Sequence, residues 1–229
     1  MIAEADNVEF EIVELSDPFA EHRSDIELFW TEYCRRNPGS YSEKVLNVFN
    51  VERTEQGFKL YISFANFYEV LYSKTIGNIK TRNLFSGGYI RTSDGYFCLA
   101  VDRNNEINLI GGVASLEDFD DGRFIPDLCL IRECKEEMGI DISDNHFSYA
   151  LKYLKITSDD EPYFPVGLLY EINTTYSKLE LENLFAGNSH DNELLKLKWL
   201  RLDNKEAMEL NIRRQYIKEL FDLIRRKET

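Results

Sequence analysis

The stretch RECKEEMGI, residues 132–140, sets three glutamates on adjacent turns and follows them at once with a glycine. Like charges at helical neighbours destabilise an isolated helix by a few tenths of a kcal/mol per pair. Placed on a helix over 124–138 at about 100° per residue, Glu133, Glu136 and Glu137 fall within roughly 100° of one another. Phe124, Leu128, Ile131 and Met138 cluster on the opposite side. This predicts a helix with a buried apolar face and a three-carboxylate face directly across from it. Pro126 and Asp127 suit its first turn, and Gly139 its end. Upstream, INLIGG (107–112) reads as an apolar strand, and the Gly112 carbonyl at its end could point at the same spot. Three carboxylates with carbonyl oxygens make a hard oxygen site suited to Mg²⁺ or Mn²⁺. Without a cation the same face is a solvated acidic surface.

The string resembles the second half of the Nudix box, R-E-U-x-E-E-x-G-U, at every specified position from Arg132 to Ile140. Gly111–Gly112, after a strand, is similar to the start of that box. The resemblance covers about residues 86–227. It implies an α/β/α sandwich with a mixed sheet that hydrolyses a nucleoside diphosphate linked to a further group, with Mg²⁺ (or Mn²⁺) as cofactor. It also implies that Glu133, Glu136 and Glu137 bind metal, with the Gly112 carbonyl as an addition. Arg132 would orient the carboxylates, so that Arg132, Glu133 and Glu136 form the helix's share of the catalytic set. The spacing departs from the family pattern, which puts its first Gly fourteen positions before the Arg, whereas Gly112 precedes Arg132 by twenty. The insertion falls within EDFDDGR, and the upstream Glu of the box then lands on Phe124. The acidic partner of Arg132 must come from Asp127, Asp121 or Asp118, and the sequence does not choose among them. Outside the box, Trp30, Pro38 and the aromatic-rich NFYEVL (66–71) look like the N-terminal region of the branch that hydrolyses UDP-glucose and UDP-galactose. That implies a nucleoside-diphosphate sugar, a UDP-hexose, split to nucleoside monophosphate and sugar phosphate. ADP-ribose, another nucleotide conjugate, and a non-catalytic nucleotide-sensing module stand as alternatives.

Family members often carry a further acid in a loop before a late strand, and here SHDNE (189–193) precedes LKLKWLRL (195–202). Glu193 is the candidate general base, with His190 and Asp191 behind it; a carboxylate beside a metal-bound water serves that role. Arg103, ending YFCLAVDR (96–103), is a candidate phosphate contact or an exposed strand end. Tyr163, beside Phe164, is a candidate base-stacking group or a packing residue. The basic residues of the last helix read as its outer face.

The chain of 229 residues is 43% hydrophobic with a net charge of −14, so it can build a core and lacks the basic balance of a nucleic-acid binder. The N-terminus has no apolar signal region and no stretch is long enough to span a membrane, so a cytoplasmic protein is expected. The four cysteines show no CxxC pairing and read as reduced thiols. The expected partner is a small nucleotide substrate, with neither nucleic acid nor membrane, and homodimer formation is left open. Strand-like runs at 8–15, 44–53 and 57–67 and a helix at 25–36 form an N-terminal α+β extension, residues 1–85, packed on a body at 86–229. No Gly/Pro/Ser-rich linker separates the two. Strands at 87–92, 96–103, 147–156 and 164–173, an acidic loop at 114–123 and a closing helix at 204–227 complete the expected elements.

Overall fold

The computed structural model describes residues 1–5, 7–14, 17–76, 79, 81–156, 165–187, 194–202 and 214–228. Its centre is a mixed sheet of β1 (Ile2–Glu4), β5 (Leu84–Arg91), β6 (Phe97–Asp102), β7 (Ile107–Asn108), β8 (Ile110–Val113), β11 (Phe147–Lys155), β12 (Val166–Thr174) and β13 (Leu194–Leu200). The order is β1-β11-β12-β5-β6-β13, with β7 on β6 and β8 on β5. β12 and β5 run parallel, Val166 opposite Leu84, and the other pairs are antiparallel.

Strand side chains alternate between two buried clusters, as the period of two requires. In β6, Cys98 and Ala100 face one cluster while Phe97, Leu99 and Val101 face the other. Helix α3 (Pro126–Met138) and helix α4 (Lys178–Gly187) cover the first face through Cys129, Leu130, Cys134, Met138 and Leu181. The last helix, α5 (Gln215–Glu228), covers the second with Ile217, Leu220, Phe221 and Ile224. Burial of such side chains stabilises by roughly 1.5–3 kcal/mol each. The architecture is therefore a helix–sheet–helix sandwich, as expected. Positions 204–214 of the predicted last helix lie before α5; all but Arg214 are outside the described residues.

The extension adds helix α1 (Arg23–Arg36), helix α2 (Phe67–Ile76) and a small sheet in the order β2 (Val8–Ile12), β4 (Phe58–Asn66), β3 (Lys44–Arg53). Val45 and Ala65 turn to α1 and α2, where they meet Ile26, Val70 and Tyr72. Leu46, Val48, Phe58, Leu60 and Ile62 turn the other way, into the same cluster as α3. The small sheet thus has one face on its own helices and one on the body. The first strand, β1, joins the edge of the main sheet against β11.

Two local expectations are corrected. The acidic loop is ordered: Leu116–Asp118 form a 3₁₀ turn, and β9 (Phe119–Asp120) pairs with β10 (Arg123–Phe124) in a hairpin. Its turn, Asp121–Gly122, takes φ values of 46° and 74°, which an Asp-Gly pair favours. The helix face also differs. Leu128 is 36% exposed and Ile131 only half-buried, whereas Cys129, Leu130, Cys134 and Met138 are buried. The reason is that α3 packs its flank along the glycine edge of β8. The carboxylates therefore border the buried face instead of opposing it.

Candidate active site

Helix α3 begins with Pro126 in its first turn and ends on Gly139, whose φ of 67° lets its N–H reach the Cys134 and Lys135 carbonyls. Beside it runs β8, and here the two glycines matter. Gly111, at φ 145°, holds a conformation that L side chains rarely adopt. A Cβ at Gly112 would overlap the Glu133 carboxylate. Glycine at 112 is what allows Glu133 to lie against the strand.

Arg132 organises the site. Its Nε and Nη2 donate to the two oxygens of Asp118 at 3.0 and 3.1 Å, and Nη2 also donates to the Val113 carbonyl at 3.2 Å. Its Nη1 donates to Glu133 at 2.7 Å and to Glu136 at 3.2 Å. Asp118 is 0% exposed. It is held in turn by the Ser115 N–H at 2.8 Å, half of a capping box in which Ser115 accepts from the Glu117 N–H. Of the three candidate partners of Arg132, the structure selects Asp118. Asp127 instead accepts from the Tyr170 hydroxyl at 2.9 Å, and Asp121 sits in the hairpin turn.

Glu137 accepts from the Gly111 N–H at 2.9 Å. Burial pushes the Glu133 carboxyl up to about 7, against the opposing pull of Arg132. The Gly112 carbonyl faces the helix, with the Cys129 thiol 3.6 Å away. Among the described residues, no three His, Cys, Asp or Glu side chains are gathered into a ready-made metal cage. Arg132 bridges Glu133 and Glu136, and Glu137 is turned to the strand. The donor chemistry nevertheless fits a hard divalent cation: a buried carboxylate beside a glycine carbonyl, with two further carboxylates on the same cleft wall.

That wall belongs to a cleft of about 710 Å³. Arg103, in the turn after β6, lines it, as do Gly111, Gly112 and Val113. The structure thus brings Arg103, Gly112, Arg132, Glu133, Glu136 and Glu137 together around one space. Glu193, His190 and Asp191, and likewise Tyr163, lie outside the described residues. The remaining lining comes from the extension: Trp30, Tyr33, Tyr41, Glu43 and Phe67 among others. Burial raises the Glu43 carboxyl, with Arg132 pulling the other way. Reading the sequence for motifs missed Glu43 and Tyr33, because nothing local marks a residue that reaches the site only through the docking of the small sheet.

No protein-family model matches the chain, and no curated protein matches it. Solved structures do. Tm1382, whose name places it provisionally among the Nudix hydrolases, is 17% identical, with 79% of this chain and 100% of that one aligned at a TM-score of 0.50. DR0079 from Deinococcus radiodurans is 16% identical over 79% of this chain and 98% of its own, at a TM-score of 0.47. RenU, a Nudix hydrolase from M. smegmatis, is 10% identical over 79% and 94%, at 0.40. At such identities the likeness to Tm1382 establishes the fold, which is the Nudix fold.

Proposed function

We propose that the chain is a divalent-metal-dependent hydrolase that cleaves the diphosphate of a nucleoside-diphosphate sugar, a UDP-hexose, to nucleoside monophosphate and sugar phosphate. The observation that supports this most is the seating of Arg132, Glu133, Glu136 and Glu137 against Gly111–Gly112 on the wall of a large cleft. Glu133, Glu136 and Glu137, with the Gly112 carbonyl, would hold Mg²⁺ or Mn²⁺. Such an ion, when bound, neutralises phosphate charge and lowers the pKa of a bound water. The chain's own residues do the positioning. Arg132, clamped by Asp118, fixes the rotamers of Glu133 and Glu136; the Gly111 N–H fixes Glu137. Arg103 faces the same cleft and suits a phosphate oxygen. Glu193 remains the proposed base on the strength of its position in the sequence.

The UDP-hexose reading draws on the resemblance around Trp30 and Pro38, both of which line the cleft. ADP-ribose and other conjugates are the competing substrates, and a nucleotide-sensing module is the competing class. A product assay over a panel of nucleoside-diphosphate sugars with Mg²⁺ or Mn²⁺ decides. Release of nucleoside monophosphate from UDP-hexoses is the expected result, and nucleotide binding without cleavage of any panel member would overturn hydrolysis.

A further inference from the structure

We propose that a second, smaller cavity at the first turn of α5 receives the hexosyl end of the conjugate and so selects the sugar. This rests on the nucleotide-sugar reading above. The large cleft is lined by the α3 carboxylates and by an aromatic wall from the extension that includes Trp30, Tyr33 and Phe67. The smaller cavity, of about 220 Å³, shares Gly111 and Glu137 with that cleft. A diphosphate held at Glu137 would therefore lie between two unequal spaces, with one end of the conjugate directed to each. Pockets that take a whole drug-sized ligand run to about 300–1,000 Å³, so the smaller space has room for one end alone. A nucleoside brings a base and a ribose, whereas a hexose is a single ring. Asp102 and Glu137 both line this cavity. Two carboxylates repel a further phosphate but accept from neutral hydroxyls.

The lining is set for hydroxyl groups. Asp102 accepts from the Asn104 and Glu106 N–H groups through Oδ1, each at 2.9 Å, and from the Asn108 amide through Oδ2 at 2.8 Å. A carboxylate oxygen accepts about two hydrogen bonds, so among the described residues Oδ2 keeps room for one more. The bond to Asp102 also fixes which way the Asn108 amide points. Its nitrogen is committed, and its buried oxygen has no partner among the described residues. A buried acceptor left unpaired is costly, and a sugar hydroxyl supplies the missing donor. Arg214 adds a donor of the opposite charge: it hydrogen-bonds the Tyr216 hydroxyl, which occupies one of its five N–H groups. The rings of Phe85 and Tyr216 stand edge to face, centroids 6.3 Å apart, and offer an apolar surface to the C–H face of a sugar. The Lys155 ammonium lies 5.8 and 5.1 Å from those two centroids and donates to the Pro165 carbonyl at 2.8 Å. Side chains tied down in this way lose little freedom on binding.

Calorimetric titrations with glucose 1-phosphate, galactose 1-phosphate and UMP, each with Mg²⁺, test this without turnover. The unaltered protein should bind UMP and at least one of the sugar phosphates. Asn108→Ala should weaken that sugar phosphate by about 2- to 12-fold, the loss of one neutral hydrogen bond. Arg214→Met should weaken it by about 12- to 150-fold, the loss of one from a charged donor. UMP should bind both variants as it binds the unaltered protein, which controls for the phosphate charge that the ligands share. KM for the matching UDP-hexose should rise by the same factors. Arg214 is exposed at the start of α5, so Arg214→Met decides if Asn108→Ala does not fold. Failure of both sugar phosphates to bind, unchanged affinity in folded Arg214→Met, or an equal or greater loss for UMP overturns the assignment. Selective weakening of the sugar phosphate in a protein that turns over no conjugate would uphold the cavity and remove the hydrolase reading. Turnover of UDP-hexoses with KM unmoved in both variants would do the reverse.

Discussion

Replacing Asp118 tests whether the site depends on a residue outside the helix that carries its carboxylates. Asp118 is buried, its side chain 1% exposed, and the Arg132 side chain is 20% exposed. Two charge-assisted hydrogen bonds join them, and a third ties Asp118 to the Ser115 N–H. Removing one member of a buried pair costs about 3–5 kcal/mol, because the other charge stays buried and underpaired. Arg132 keeps Glu133, Glu136 and the Val113 carbonyl, so the lower end applies, about 3 kcal/mol for Asp118→Ala. For a chain of this size that is a fall in Tm of roughly 6–12 °C. Asp118→Asn retains one acceptor and should fall by less. Turnover should drop in both, because Arg132 loses part of the anchor that sets it against the carboxylates it positions. A double-mutant cycle with Arg132→Met makes the reasoning specific: the pair should couple by about 2 kcal/mol or more in thermal or denaturant unfolding. Additive effects, or an unmoved Tm and kcat in Asp118→Ala, would refute it.

Chelation by EDTA should abolish turnover and Mg²⁺ or Mn²⁺ should restore it, since the carboxylate wall then lacks its cation; undiminished activity after exhaustive dialysis against chelator removes the metal assignment. Glu136→Gln and Glu137→Gln should each lower kcat by at least ~100-fold with Tm retained, measured at saturating metal, and near-normal rates in both would make the helix face merely solvated. Gly112→Ala places a methyl where the Glu133 carboxylate lies, so activity should fall far more than stability; an active, well-folded variant would show that Glu133 need not sit against β8. Glu193→Gln should lower kcat by about 10²- to 10⁴-fold with little change in metal affinity if it is the base, and recovery at high Mn²⁺ would make it a ligand instead.

The helix site was legible because its signal is local: nine consecutive residues carry the carboxylates, the arginine and the terminating glycine. The partner of Arg132 was not, and the reason is arithmetical. Counting back from Arg132 lands on Phe124. Counting forward from Gly112 by the same family spacing lands on Asp118, and the inserted residues then form the β9–β10 hairpin between the acid and the helix. The apolar face was read only in part, for a different reason: Phe124 and Met138 are buried as expected, but Leu128 is not. Hydrophobic periodicity weighted Leu128 and Ile131 over Cys129 and Cys134, yet the small thiols are what fit against the glycine edge. Of the aromatic wall, the sequence marked Trp30, Pro38 and Phe67 by resemblance alone; that they meet at the cleft follows only from the docking of α1 on the small sheet.

The insertion and the extension explain each other. Phe124 of the hairpin meets Phe10 of β2 edge-on at 4.9 Å, and Phe119 meets Phe64 of β4 at 5.6 Å. The two hairpin rings lie 5.7 Å apart, so they close a four-ring cluster across the joint. A few residues earlier, the Leu46 N–H of β3 donates to the Ala114 carbonyl at 2.9 Å, and Val45 bridges to Ser115. The segment from Ala114 to Phe124 therefore does two things at once. Through Asp118 it sets Arg132 and the carboxylate wall, and through its backbone and two phenylalanines it seats the sheet that carries the aromatic wall. Aromatic pairs of this kind contribute beyond their area and fix orientation. A change in that segment should move both walls of the cleft together, which neither the helix motif nor the extension could bring about alone.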